Sequence, residues 1–133
     1  MSPNSSGSYQ KALRLRRHLG RRGENLAARL LKNKGMEILV RNLRLKYGEI
    51  DIVALDGECL VFVEVKTRRC NSFYRPLANW SMRQRRNLKL CARYYLRAAD
   101  LSGRPIVCRF DMVELVLSPW CIHFVKHHIN VRI

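Results

Sequence analysis

Acidic side chains are scarce: ten Asp and Glu stand against 26 Lys and Arg among 133 residues, a formal net charge of +16. So lopsided a balance implies a polyanionic partner, because counterion release drives such binding, and nucleic acid leads that class. Long apolar runs are missing too. None approaches the roughly 18 residues of a membrane span, and no signal-peptide core is present, so the chain reads as cytoplasmic with no membrane partner. Paired cysteines are also absent. The five at 59, 70, 91, 108 and 121 show no CxxC spacing, and an odd count argues against a disulfide framework. Sulfate, heparin-like polymers or anionic lipid would also answer the charge, yet none explains where the few acids gather. Length and a hydrophobic content of 47% fit one domain with a real core.

The acids gather around Gly48–Arg68, GEIDIVALDGECLVFVEVKTR. Alternating apolar runs flank Asp56-Gly57, and an Asp-Gly pair in that setting predicts a tight antiparallel hairpin. A two-residue turn there sets Leu55 against Glu58, Asp51 against Phe62 and Glu49 against Glu64. Glu49, Asp51, Glu64 and Lys66 then share one face, while Ile50, Ile52, Ala54, Cys59, Val61, Val63 and Val65 form a core face. Opposed carboxylates repel, so a positive group is expected between them. A divalent metal fits, since Mg²⁺ takes hard oxygen ligands and uses one or two carboxylates. Lys66 would position a water or stabilise charge growing on a phosphate. The plainer reading is a surface hairpin in which Lys66 pairs with a carboxylate and does no chemistry.

Elsewhere the pattern is α/β. Residues 1–20 read as a disordered basic arm with at most a turn or two of helix over Tyr9–Leu19, and 21–133 as the folded domain. Ser and Arg without acid also resemble a transit peptide. Glu24–Lys34 reads as a helix closed by Gly35, with Ala27, Ala28 and Leu31 on its buried stripe and Glu24 at the end of that stripe. As a first-turn acid, Glu24 could equally serve the helix dipole. Met36–Leu45 reads as a strand with Ile38 and Val40 on one face, ending in Arg41, Arg44 and Lys46, which are candidate phosphate contacts or solvated edge charges. A loop is expected over 71–80, where Phe73, Tyr74 and Trp80 would stack on bases or cover the core. Ser81 should cap a helix to about Asp100 that carries Leu88, Cys91, Ala92, Tyr95 and Ala99 toward the sheet and Arg86, Lys89, Arg93 and Arg97 away from it. Arg104–Leu117 reads as a strand and Cys121–Ile133 as a last edge strand. Cys121, His123, His127 and His128 are zinc-ligand types, but their crowding on one segment speaks against a tetrahedral site.

Asp51 followed by Glu64-Val65-Lys66 resembles the PD-(D/E)XK nuclease superfamily. Together with GEN at Gly23–Asn25, RNLR at Arg41–Arg44, GEIDIVA at Gly48–Ala54, VFVEVKTR at Val61–Arg68 and RFDMVE at Arg109–Glu114, the pattern is similar to the YraN-type family of small bacterial proteins. The resemblance implies a restriction-endonuclease-like mixed sheet flanked by helices, an α-β-β-β-α-β core like that of Holliday-junction resolvases. It implies Mg²⁺ or Mn²⁺ held by Asp51, Glu64, the Val65 carbonyl and Glu24, with Glu49 a neighbour of that set. Lys66 would be catalytic, and Arg68, Arg83, Arg85, Arg86 and Lys89 would join Arg41, Arg44 and Lys46 on DNA. Gln84 departs from the lysine common there, and Arg83 or Arg85 would take over its charge. The expected function is metal-dependent hydrolysis of DNA phosphodiesters, at branched or junction structures, by a monomer or homodimer. Its alternatives are a catalytically silent nucleic-acid-binding protein of the same fold and an RNA- or ribosome-associated scaffold.

Overall fold

The computed structural model describes residues 5–70, 80–101 and 105–133. In chain order these form α1 (Ser5–Asn33), β1 (Glu37–Leu45), β2 (Gly48–Asp56), β3 (Cys59–Arg69), α2 (Met82–Ala98), β4 (Cys108–Leu117) and β5 (Ile122–His128). Of the loop expected at 71–80, residues 71–79, with Phe73 and Tyr74, lie outside the described residues, as does Gly103. The strands make one mixed sheet in the order β1-β2-β3-β4-β5, antiparallel except for the parallel pair β3 and β4. A parallel pair needs a crossover, and α2 supplies it. This is the expected α/β architecture, a five-stranded mixed sheet with two helices, consistent with a restriction-endonuclease-like core; β5 adds the expected edge strand.

Alternation along β3 sends side chains to two separate cores. Val61 and Val63 pack with Ala27, Ala28 and Leu31 of α1, together with Val113 and Leu115. Leu60 and Phe62 pack on the opposite side with Leu88, Cys91 and Ala92 of α2, and with Trp80. The Phe62 ring meets Tyr95 edge-on at 5.8 Å and stacks on Phe110 at 5.4 Å, which ties α2 to β3 and β4. The sheet is thus sandwiched between the helices, and both helices keep their basic faces outward.

Three expectations of register and length need correction. The two-residue loop is Gly57-Glu58, so Asp56 pairs with Cys59, Leu55 with Leu60 and Ile52 with Val63. Gly57 alone takes positive φ (+61°), the geometry of a turn with glycine at its first central position, so Asp56 stays in the strand. Moving the turn by one residue slides the register by two, which preserves faces. In β1 an irregularity between Ile38 and Val40 sends these residues to different cores, because a bulge inserts one residue and inverts the alternation beyond it. Residues 5–20, expected to be an arm with little helix, form the first half of α1. No proline interrupts Ser5–Asn33, and Leu, Ala, Arg and Lys are good helix formers. At its other end Gly35 (φ +91°) donates to Lys32 and the Met36 amide to Leu31, the paired bonds of a glycine-closed helix terminus.

Candidate functional site

The site is built where β2 and β3 part. Their recorded pairing ends at Ile52 and Val63, and the Val65 amide donates not to a strand carbonyl but to Asp51 Oδ2, 2.8 Å away. The separation also turns β2 about its axis. Ile52 lies in the α1 core, whereas Ile50, expected on the same face, lies in the α2 core. The resulting fork leaves Asp51 between the two strands.

Helix α1 brings a third element to the fork. Gly23 lets it approach: a Cβ there would meet Thr67 Oγ1 at 1.8 Å and Thr67 Cβ at 2.9 Å, so only glycine permits this contact with β3. One residue on, Glu24 points to the fork, and carboxylate oxygens of Glu24, Glu49 and Asp51 all lie within 4.8 Å of one another. Glu64 stands beside this trio, held by Lys66 Nζ at 3.1 Å from Oε1. All five residues expected at the site are therefore neighbours. Glu49 thus joins Glu24 and Asp51 in one close group, Glu64 is hydrogen-bonded to Asp51, and Lys66 is engaged with Glu64.

Electrostatics mark Asp51 as the centre. Burial, followed by the charge of Glu64, raises its carboxyl from 3.8 to about 8; the Val65 amide opposes the rise, and Glu24 and Glu49 add to it. Burial likewise pushes Glu64 up, against the pull of the Lys66 ammonium. Hard carboxylate oxygens are the donors that Mg²⁺ and Mn²⁺ prefer, and a carboxyl raised by its acidic neighbours is what such a set produces without a counter-charge. Asp51, Glu24, Glu49 and Glu64 are the carboxylates that would hold the ion. The donor set fits.

The expected phosphate-contacting residues divide into three groups. Arg41 is exposed and donates from Nη2 to Asn25 Oδ1 at 2.7 Å, bridging β1 to α1 beside Glu24. Arg44 is exposed and is the Cα partner of Glu49, and Lys46 sits 6.0 Å over the Tyr47 ring. Arg83, Arg86 and Lys89 are exposed on α2, while Arg68 and Arg85 are half-buried, and among the described residues Arg85 Nε has no hydrogen-bond partner. Gln84 serves the helix end instead: its Oε1 accepts from the Ser81 amide at 2.9 Å and its own amide donates to Ser81 Oγ at 3.1 Å.

Sequence reasoning missed a second buried carboxylate, Asp111. Arg109 Nε donates to its Oδ1 at 3.0 Å, His127 Nε2 lies 2.8 Å from Oδ2 and the Asn130 amide 2.9 Å from Oδ1. Arg109 also grips Asp56 at 2.9 Å, and Lys34 Nζ meets His127 Nδ1 at 2.9 Å. The alternation of β4 placed Arg109 and Asp111 on one face, the only local signal available; partners 16 and 19 residues away left none. His128 bonds Glu114 at 3.1 Å and Cys121 Sγ lies 3.3 Å from His123 Nε2, so the four zinc-type residues do not converge. Among the described residues no helix is long and apolar enough to cross a membrane.

Comparison with known proteins places the chain in a family. The model of the uncharacterised protein family UPF0102 matches residues 23–115, which carry Gly23, Glu24, the fork and Asp111. A UPF0102 protein of Moorella thermoacetica is 47% identical over 103 residues, 77% of this chain and 84% of that protein. One from Caldicellulosiruptor saccharolyticus is 43% identical over 103 residues, 77% of this chain and 86% of that protein. A match of this extent to both the family model and its members makes the chain a member of the UPF0102, or YraN, family.

Proposed function

We propose that this chain is a Mg²⁺- or Mn²⁺-dependent nuclease that hydrolyses DNA phosphodiester bonds in the cytoplasm, with branched and junction DNA as its preferred substrates. The observation that carries the reading is the trio Glu24, Glu49 and Asp51, within 4.8 Å in a chain with only ten acids. A fold maintained for stability alone gains nothing from crowding like charges in a half-buried fork. When bound there, a divalent ion supplies Lewis acidity toward a phosphate oxygen. The chain's own groups do the rest. Asp51 gives up its proton to serve as a ligand, and the Val65 amide orients its carboxylate. Exposed Arg41 and Arg44 seat the phosphates that flank the scissile bond. Lys66 exchanges Glu64 for the substrate: its ammonium then orients the attacking water or compensates the charge that grows on the phosphate. On a junction, two copies would offer one site to each opposed strand.

One observation favours a second reading, a nucleic-acid-binding protein without turnover: Lys66 is already paired with Glu64 at 3.1 Å. A panel of junction, flap, nicked and linear DNA, incubated with Mg²⁺ or Mn²⁺, separates the two. The nuclease reading requires cleavage that Lys66→Ala and Asp51→Asn abolish while DNA binding persists. Binding without cleavage of any substrate by the wild type would establish the second reading.

A further inference from the structure

Helix α1 spans 29 residues, and its inner stripe is the part that packs into the core. At 3.6 residues per turn, Gly23, Ala27 and Leu31 face the sheet, whereas Lys11, Arg14, His18, Arg21, Arg29 and Lys32 fall on one strip of the opposite side. All six are exposed, and among the described residues none has an ion-pair partner. Glu24 is the sole acid of the helix, and it is turned away from this strip toward the carboxylates. A shallow concavity of about 400 Å³ follows the strip from His18 to Arg29. From Lys11 to Lys32 the strip runs roughly 31 Å at 1.5 Å per residue, close to the roughly 34 Å of one duplex turn. Asn25, within the strip, anchors Arg41 of β1 and so joins this surface to the edge of the fork.

We propose that the outer face of α1 is a docking rail for double-stranded nucleic acid, holding the backbone of a duplex arm whose strand continues to the carboxylate fork. The direction of that strand rests on the nuclease reading; the docking does not. A duplex fits better than a single strand, because single strands are held largely by stacking on aromatic rings and this strip carries no Phe, Tyr or Trp. It also fits better than a membrane, because the apolar stripe that insertion would need packs on the sheet through Leu19, Leu26, Ala27, Leu30 and Leu31. The first half of the rail precedes residue 23, where the family match begins.

The test is binding in chelator, where no metal-dependent cleavage occurs, by fluorescence anisotropy on a 24-base-pair duplex, the matching single strand and phosphatidylglycerol vesicles. Arg14→Gln/Arg21→Gln should weaken duplex binding roughly tenfold and flatten the log–log salt slope by about 1.8, near 0.9 for each lost phosphate contact. Lys126→Gln/Arg132→Gln removes equal charge from the far end of the chain and should change affinity less than about twofold. Arg14→Lys/Arg21→Lys should keep the wild-type slope. Equal losses in the two glutamine pairs, single-strand affinity matching the duplex, or vesicle binding that alone depends on Arg14 and Arg21 would each overturn the proposal. Photocrosslinking of the duplex to the wild-type protein needs no substitution: crosslinks on α1 support the rail, and their absence from α1 refutes it. A rail that binds while no substrate is cleaved leaves this inference standing and removes the nuclease reading.

Discussion

Two aspartates of one sheet, Asp51 half-buried and Asp111 fully buried, have opposite electrostatic fates. Burial pushes both carboxyls up. At Asp111, hydrogen bonds from His127, Arg109 and the Asn130 amide outweigh it and hold the group below the ordinary range. At Asp51, one backbone amide is set against Glu64, Glu24 and Glu49, and the carboxyl rises to about 8. Asp111 is therefore a finished structural joint, tying Lys34 at the end of α1, Asp56 at the hairpin turn and the segment after β5 to one charge. Asp51 accepts from the Val65 amide and otherwise faces carboxylates. A buried charge is costly to strip of its partners once they are in place, whereas crowded acids form the donor set proposed above for a divalent ion.

The largest effect should come from exchanging the fates of these two residues. Asp111→Ala strands the half-buried Arg109 and the buried His127 ring and should cost about 3–5 kcal/mol in urea unfolding, as breaking a buried ion pair does. Asp51→Asn keeps an acceptor for the Val65 amide and removes a carboxyl whose ionisation burial and its acidic neighbours oppose. Its metal-free stability should match or exceed wild type, and a loss as large as that of Asp111→Ala would erase the distinction.

A smaller effect tests how α1 reaches the fork. Gly23→Ala forces a Cβ into Thr67, whose own Cβ no rotamer can move, and should cost about 1–3 kcal/mol. It should also weaken Mn²⁺ binding by drawing Glu24 from Glu49 and Asp51. Undiminished stability and Mn²⁺ affinity would mean that the close approach is incidental.

The subtlest contrast lies in pH. Asp51 has a folded pKa above its unfolded value, so the native state holds the extra proton; stability is fully present below about 3.8 and is lost as pH rises toward about 8. Glu64 acts with the same sign. Asp111 has the opposite sign: its contribution is present above pH 3.8 and is lost as pH falls through its lowered folded value. In metal-free protein, the stability of Asp51→Asn relative to wild type should grow from about pH 4 to pH 8. A difference independent of pH would deny that Asp51 is perturbed.

Much of this was legible locally. Period-two alternation put Asp51, Glu64 and Lys66 together, and that inference survived a misplaced turn because a register slide of two residues preserves faces. Ala27, Ala28 and Leu31 marked the inner stripe of α1 and placed Glu24 at its end. The remainder depends on contacts that sequence spacing does not encode. The bulge beyond Ile38 and the fork at Asp51 are departures from regular strands, so period two could not show which core receives Val40 or Ile50. The clamp on Asp111 needs a histidine from the edge strand and a lysine from the end of α1. Ser, Gly and basic side chains without acid marked residues 1–20 as an arm, although the helix propensity of the stretch was there to be read.

The central claim is that Asp51 awaits a divalent ion, and calorimetric titration with Mn²⁺ at pH 7 in buffers of different ionisation enthalpy tests it most directly. Because a carboxyl with a pKa of about 8 is mostly protonated at that pH, binding must expel a proton. The account predicts saturable binding, an apparent enthalpy that changes with the buffer by close to one proton, and loss of both in Asp51→Asn. Absent binding, or binding that releases no proton and is unchanged in Asp51→Asn, would contradict it.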